Sequence, residues 1–141
     1  MDVTVDGKRA HAATGSRESG PDDPAVILIH GAGMDRTVWQ FQTRNIAHQG
    51  RRALAVDLPG HGYSEGPALT SIADMADWVV RFMDAAGVGS ATLMGHSMGS
   101  LIALDLAARH PEKAERIILT GVAEAMPVHP DLLAAAAANE D

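Results

Sequence analysis

Four short apolar runs divide the chain, and together they restrict the folds that it can adopt. The runs are Ala25–Ile29, Ala53–Val56, Ala91–Met94 and Arg116–Thr120. A continuous apolar run of this length, bounded by turn-forming residues, is typical of a strand that is buried on both faces of a sheet. Segments with helical periodicity follow the first three runs. The alternation predicts an α/β fold with a mostly parallel, doubly wound sheet and helices on both of its faces.

Periodicity, glycine and proline also predict the helices and the outer strands. In the clearest helix, apolar residues recur at three- and four-residue steps between Ser71, which is placed to cap the helix, and Gly87, which is placed to end it. Further helices are predicted over Thr37–Gln49, Ser97–Arg109 and Pro130–Asn139, and two weaker strands over Val3–Val5 and Lys8–Thr14. The inward positions expected in the first of these helices are Val38, Phe41, Ile46 and Ala47.

Composition excludes several classes of protein. The 141 residues carry a formal net charge of −7, so neither nucleic acid nor an anionic membrane surface is expected as a partner. The lack of cysteine excludes a disulfide framework, a zinc–thiolate site and a cysteine nucleophile. The first residues do not resemble a secretory signal, and no run of about 18 apolar residues could span a membrane. We therefore expect a soluble, cytoplasmic protein.

The sequence Gly95-His96-Ser97-Met98-Gly99 matches G-x-S-x-G and lies between a predicted strand and a predicted helix. Because the chain must turn from strand to helix within about one residue, the serine takes a strained backbone conformation that costs about 1–3 kcal/mol. Gly95 and Gly99 remove Cβ atoms that would clash where the two segments meet. Ser97 is then exposed at a helix N-terminus, where backbone N–H groups favour a developing negative charge. We predict that Ser97 is a catalytic nucleophile.

A second turn, with the sequence His-Gly-Ala-Gly over residues 30–33, follows the first buried strand. It would bring the backbone N–H of Ala32 close to Ser97, beside the N–H of Met98. Two such donors form an oxyanion hole, and each is typically worth about 3–4 kcal/mol of transition-state stabilisation. Because the donors are backbone groups, Ala32 and Met98 matter for their position and not for their side chains.

Three ordered motifs resemble those of the α/β-hydrolase family of esterases, lactonases and related lid-bearing hydrolases. They are residues 29–33 with Trp39 after them, the loop Asp-Leu-Pro-Gly-His-Gly-Tyr-Ser over residues 57–64, and residues 95–99. The resemblance covers about residues 8–123. It implies the family's fold and a serine nucleophile, and it implies that Asp57 shapes the loop in which it lies. It does not select a substrate.

The chain departs from the family's full pattern. Members of the family have eight strands, a lid after the sixth, an acid that usually follows the seventh and a histidine after the eighth. By this count residues 116–120 form the sixth strand, so we expect an incomplete core over residues 1–124 and the start of a lid over residues 125–141. The general base and its usual acid partner would then be absent. The unpaired apolar edge of residues 116–120 should cause self-association or require a complementary C-terminal partner.

No histidine in the sequence is an obvious replacement for this base. His129 is the best placed, in a loop after the sixth strand, although a surface histidine is the more ordinary interpretation. Glu124 could supply the acid, because some family members place it after the sixth strand, but a solvated loop carboxylate is more common. No cluster of His, Asp or Glu has the spacing of metal ligands, so we predict no metal and no other cofactor.

The chemistry that the resemblance implies is acyl transfer to water from a small, partly apolar ester or lactone. Ser97 would attack the carbonyl carbon, and the N–H groups of Ala32 and Met98 would hold the oxyanion. An amide, a carbon–carbon bond next to a ketone and perhydrolysis stay open, whereas the chemistry of aspartate nucleophiles is disfavoured because residue 97 is serine. Two alternatives are a non-catalytic module that binds a small molecule, since some members of the fold are receptors, and a fragment that is inactive alone.

Overall fold

Six strands and four α-helices alternate along the computed structural model, which describes residues 1–17 and 19–138. The strands are β1 (Asp2–Val5), β2 (Lys8–Ala13), β3 (Ala25–Ile29), β4 (Arg52–Val56), β5 (Ala91–His96) and β6 (Ala114–Thr120). The helices are α1 (Gln40–His48), α2 (Ile72–Ala85), α3 (Met98–Arg109) and α4 (Pro130–Ala138). The sheet has the order β1-β2-β4-β3-β5-β6. Strands β4, β3, β5 and β6 are parallel, and β1 and β2 form an antiparallel flank, which confirms the predicted mostly parallel sheet.

Strands β3 and β5 occupy the middle of the sheet because their side chains are apolar on both faces. All five residues of β3 are buried. Ile27 and Ile29 lie in one core cluster with side chains of α2 and α3, whereas Val26 and Leu28 lie in a second cluster with Trp39 and residues near α1. Since successive side chains of a strand point to opposite faces, the two clusters lie on opposite sides of the sheet. The sheet is therefore covered on both faces, as the apolar runs predict.

Helix α2 begins and ends where its sequence predicts. The Ser71 hydroxyl accepts a hydrogen bond from the Asp74 N–H at 3.0 Å, which satisfies one of the unpaired donors of the first turn. Gly87 follows the last turn with a φ of 69°, a conformation that favours glycine. The apolar stripe buries Met75, Val79, Phe82 and other side chains against the sheet.

The segment before α1 differs from its prediction. Instead of one helix, a 3₁₀ turn over Arg36–Trp39 precedes α1. A 3₁₀ turn has fewer residues per turn than an α-helix, so it shifts which side chains face inward. Trp39, Thr43 and Ala47 are buried. The predicted inward positions Val38 and Phe41 are wrong, because these side chains are 43% and 75% exposed.

Strand β6 forms an edge of the sheet within the described residues. It pairs with β5 only, and Ile117 and Ile118 are 41% and 45% exposed. The following helix α4 buries none of its described side chains. Asn139, which the predicted tail helix includes, lies outside the described residues, as do the last two residues of the predicted lid segment. The division of the chain at residue 124 stays a prediction.

Candidate active site

Ser97 connects β5 directly to α3. Its φ is 53° and its ψ is −118°, and it is one of three described non-glycine residues with positive φ. The motif predicts this conformation, which L-residues adopt at a cost. The serine is half-buried at the N-terminus of a 12-residue helix, where the helix dipole favours negative charge. Its backbone geometry therefore suits a nucleophile, although its catalytic role stays a prediction.

Two glycines allow the close approach of strand and helix around Ser97. A Cβ atom on Gly99 would lie 2.7 Å from the carbonyl oxygen of His30 and closer still to that of Ile29. A Cβ atom on Gly95 would lie 2.5 Å from the amide nitrogen of Ser100. Both contacts are with backbone atoms, which cannot move aside as a flexible side chain can. Only glycine fits at these two positions, as the motif predicts.

Strand β6 holds the backbone of this turn from one side. The Ser97 N–H donates to the Thr120 carbonyl oxygen at 2.9 Å. The Thr120 hydroxyl donates to the Gly95 carbonyl oxygen at 3.0 Å, and the Thr120 N–H donates to the Ser100 hydroxyl at 3.2 Å. The end of β6 is thus hydrogen-bonded to residues on both sides of Ser97.

The turn of residues 31–34 lies against Ser97 from the other side. A Cβ atom on Gly31 would lie 3.3 Å from the Ser97 Cβ, and the Met34 N–H donates to the Gly31 carbonyl oxygen at 3.3 Å to close the turn. Across residues 1–17 and 19–138, the N–H groups of Ala32 and Met98 donate no hydrogen bond. Both groups therefore have the free donor that the predicted oxyanion hole needs.

The imidazole of His30 is fully buried beneath this turn. Its Nδ1 lies 2.8 Å from the Gly31 carbonyl oxygen, and its Nε2 lies 3.1 Å from the Leu58 amide nitrogen. A carbonyl can only accept and an amide N–H can only donate, so Nδ1 carries the proton and Nε2 accepts. Burial is the main cause that lowers the pKa of His30 below its usual value, and the nearby His61 lowers it further. The geometry and the pKa agree on a neutral ring.

A buried ion pair connects the segment after this turn to the loop after β4. The Asp57 carboxylate accepts from the Arg36 guanidinium and from the Arg36 N–H at 2.8 Å each, and from the Tyr63 N–H at 2.9 Å. The guanidinium carbon lies 3.9 Å from the centre of the Tyr63 ring. Sequence reasoning identified Asp57 as a residue that shapes its loop but missed Arg36. No local pattern joins residues 21 positions apart.

The described histidines do not supply a hydrogen-bonded base for Ser97. Among the described residues, no hydrogen bond joins the Ser97 hydroxyl to a histidine. The His96 ring lies between two turns, because a Cβ on Gly31 would be 3.2 Å from its Nδ1 and one on Gly121 would be 3.3 Å from its Nε2. The side chain of His129 is 73% exposed and lies 3.6 Å from Asp131.

Glu124 is the candidate acid that the sequence analysis names. Glu124 is exposed in the segment after β6. Within the described residues, no three His, Cys, Asp or Glu side chains are grouped as they would be around a metal ion. None of the described helices has the length and apolar character needed to cross a membrane.

The arrangement of β5, Ser97 and α3 matches a known protein family. The family model described as alpha/beta hydrolase fold matches residues 24–139. The chain belongs to the α/β-hydrolase fold family.

Relatives of this α/β-hydrolase chain include hydrolases and acetyltransferase components. It is 39% identical over 117 residues to the dihydrolipoyllysine-residue acetyltransferase component of the acetoin cleaving system of Cupriavidus necator, covering 82% of this chain and 30% of that protein. It is 39% identical over 115 residues to 2-hydroxymuconate semialdehyde hydrolase of Pseudomonas sp. strain CF600, covering 78% of this chain and 40% of that protein.

A solved structure also resembles this chain. The enol-lactonase from Burkholderia xenovorans LB400 matches with a TM-score of 0.73 and 31% identity, over 83% of this chain and 45% of that one. The chain thus spans less than half the length of each of these proteins. At the level of the family, the proteins that the chain resembles include hydrolases.

Proposed function

We propose that this chain carries the nucleophile of a serine hydrolase that cleaves a small ester or lactone through an acyl-enzyme intermediate. The observation that carries the proposal is the positive φ of Ser97 at the start of α3. Within the described residues, the N–H groups of Ala32 and Met98 donate no hydrogen bond. A strained serine at such a position is typical of a nucleophile, because the strain exposes its hydroxyl. The similarity to an enol-lactonase supports the choice of a lactone or ester.

The reaction has two steps in this proposal. The Ser97 oxygen bonds to the carbonyl carbon, the Ala32 and Met98 N–H groups stabilise the oxyanion, and the bond to the leaving oxygen breaks. The serine proton passes through a general base to the leaving oxygen. Water then attacks the acyl-serine, releases the acid and returns a proton to Ser97. The base and its acid partner are groups that we do not assign to any described residue.

Because no described residue is assigned as the base, we also make a proposal about the isolated chain. Without a base, a serine hydrolase loses on the order of 10⁶-fold in kcat and keeps only the contribution of binding and of the oxyanion hole. We expect the 141-residue chain alone to be nearly inactive on p-nitrophenyl esters. Initial rates beside the Ser97→Ala variant test this. A turnover of about 1 s⁻¹ or more that disappears in the variant would contradict the expectation, because typical enzymes work at that rate. His129 would then be the first residue to replace.

A second candidate function is non-catalytic binding of a small molecule, which the absence of a histidine hydrogen bond to Ser97 among the described residues favours. The two functions differ in covalent chemistry. With imidazole added as an external base, a fluorophosphonate probe reacts with a nucleophilic serine and increases the mass of the chain, and the adduct maps to Ser97. A binding module would hold an ester reversibly and leave the mass unchanged.

The exposed edge of β6 supports a proposal about partners. Ile117 and Ile118 are partly exposed on a strand that pairs on one side only within the described residues. Such an edge can add a strand from another chain. We propose that the chain self-associates through this edge or is completed there by a C-terminal partner. The predicted cytoplasmic location also stays a proposal, which the lack of cysteine supports.

A further inference from the structure

The backbone donor Ala32 belongs to a peptide unit that His30 holds. The Gly31 carbonyl oxygen and the Ala32 N–H are the two ends of one planar peptide group, which is trans. The His30 Nδ1–H donates to that oxygen at 2.8 Å. Since the oxygen and the hydrogen of a trans peptide point in opposite directions, a fixed oxygen also fixes the direction of the Ala32 N–H.

The second ring nitrogen anchors the imidazole itself. Nε2 accepts from the Leu58 N–H, which lies just after β4, so the ring bridges the segments that follow two neighbouring strands. The ring has no exposed surface. A proton on Nε2 would point at the Leu58 N–H, so two donors would face each other. Proton uptake would therefore cost the Leu58 hydrogen bond and displace the ring from the place where it holds Gly31.

Burial, one hydrogen bond and three titratable side chains decide whether this ring takes up a positive charge. The hydrogen bond that Nδ1–H donates to the Gly31 carbonyl oxygen favours the charge. Burial and the His61 ring, whose centre is 5.1 Å away, oppose a positive charge on His30. Asp57 at the end of β4 and Asp35 after the turn favour it, but Asp57 is already paired with Arg36. The sum keeps the ring neutral near pH 7.

We propose that neutral His30 is the positioning residue for the Ala32 N–H, and that proton uptake at Nε2 releases this N–H from its direction. The proposal rests on the oxyanion role proposed for Ala32. It predicts that acid weakens the site through the turn of residues 31–34, independently of any effect on a general base. His30 acts through the backbone and does not touch the substrate.

The first test follows the geometry without any substrate. In the ¹⁵N-labelled full chain, the residual dipolar coupling of the Ala32 N–H reports its direction while the pH is lowered from about 8. We expect this coupling to change with the same midpoint as the His30 ring nitrogens, while couplings in β3 and β5 stay constant. A constant Ala32 coupling through the His30 titration would overturn the proposal.

Two variants sharpen this test. In His30→Asn the amide nitrogen can replace Nδ1 as the donor to Gly31, and the side chain does not titrate. We expect the Ala32 coupling to stay at the wild-type high-pH value throughout. His61→Asn is the matched control, because it alters the neighbouring ring but leaves both His30 hydrogen bonds. Its Ala32 coupling should still follow His30. An Ala32 change in His30→Asn equal to that of the wild type would contradict the proposal.

The second test measures the reactivity of Ser97 with a fluorophosphonate probe, with Ser97→Ala as the blank. We expect His30→Ala to react about 100-fold more slowly than the wild type, as for the loss of one oxyanion donor. His30→Asn should keep close to the wild-type rate and lose the decrease in acid. If Ser97 reacts equally well in His30→Ala, the positioning role is wrong and the nucleophile stands. If no variant reacts, and the wild type stays unreactive when imidazole is added as an external base, but the Ala32 coupling follows His30, the proposed function is wrong and the positioning role stands.

Discussion

Strands β3 and β6 both form from short apolar runs, yet the two strands differ in burial. Strand β3 pairs with β4 and β5, and all of its residues are buried. Among the described strands, β6 pairs with β5 only, and four of its seven residues are exposed. An apolar run therefore predicts a strand, but its burial depends on neighbours that the run does not encode. The candidate site lies between these two regions, since the turn after β3 and the end of β6 both contact Ser97.

The largest effect should come from the β3 side of the site. Gly99→Ala places a Cβ against the backbone of Ile29 and His30, which can separate only if α3 moves off the sheet. We expect a loss of about 4 kcal/mol or more in the free energy of unfolding, measured by urea denaturation. Gly89→Ala is the control, because nothing lies within 4 Å of a Cβ there, and it should change stability by about 0.5 kcal/mol or less. Equal effects of the two changes would disprove the close approach.

A matched pair of isoleucines compares the two strands directly. Ile27 in β3 is fully buried, and Ile117 in β6 is 41% exposed. Ile27→Ala should cost about 2–5 kcal/mol in the free energy of unfolding, because it leaves a cavity. Ile117→Ala should cost about 1 kcal/mol or less, since much of its surface is already in water. If the two losses are similar, β6 is covered in solution by something that the described residues do not include.

The pH dependence of stability tests the buried turn after β3. The pKa of His30 is lower in the folded state than in the unfolded state, so the unfolded state binds more protons. The stability that neutral His30 provides is complete above about pH 6.5 and decreases as the pH falls toward the folded pKa, by at most about 1.4 kcal/mol per pH unit. His30→Asn should flatten the curve in this window. Asp35, whose lowered pKa acts below about pH 4, should not contribute there.

The smallest change in stability should come from the edge of β6, although it should alter the mass of the particle. We expect the chain to self-associate at tens of micromolar, as seen by light scattering, and Ile118→Lys to lower the average mass because a charged edge resists pairing. Leu104→Lys, at a similarly exposed position on α3, is the control. Both variants should change the free energy of unfolding by about 0.5 kcal/mol. A monomeric wild type with cooperative melting would contradict the expected association.

Much of the fold could be predicted because its determinants are local. The strands follow apolar runs, α2 follows its cap and stop residues, and the serine turn needs glycine at two fixed positions. The inward side chains of the first helical segment could not be predicted by the same reasoning. The 3₁₀ turn before α1 shifts the phase, and Thr43 is buried because its hydroxyl donates to the Trp39 carbonyl oxygen at 2.7 Å. A polar residue that satisfies its own hydroxyl in this way leaves no apolar signal.

The candidate site was predictable only in part, and for a similar reason. The position and backbone conformation of Ser97 follow from residues next to it in sequence. The hydrogen bond between Leu58 and His30 joins residues 28 positions apart. The ion pair between Arg36 and Asp57 joins residues 21 positions apart. They depend on the packing of β3 beside β4, which periodicity does not specify.

The hydrogen bond from the Ser97 N–H to the Thr120 oxygen makes the serine turn and the open sheet edge parts of one mechanical unit. Thr120 is the last residue of β6, so a movement of Thr120 also moves the Ser97 backbone. A strand added along β6 would restrain that residue on its other side and narrow the range of positions that Ser97 samples. Pairing of a strand along the β6 edge would therefore limit how far Ser97 moves from its position. Pairing at this edge would then act on reactivity through the backbone, separately from any side chain that a partner supplies.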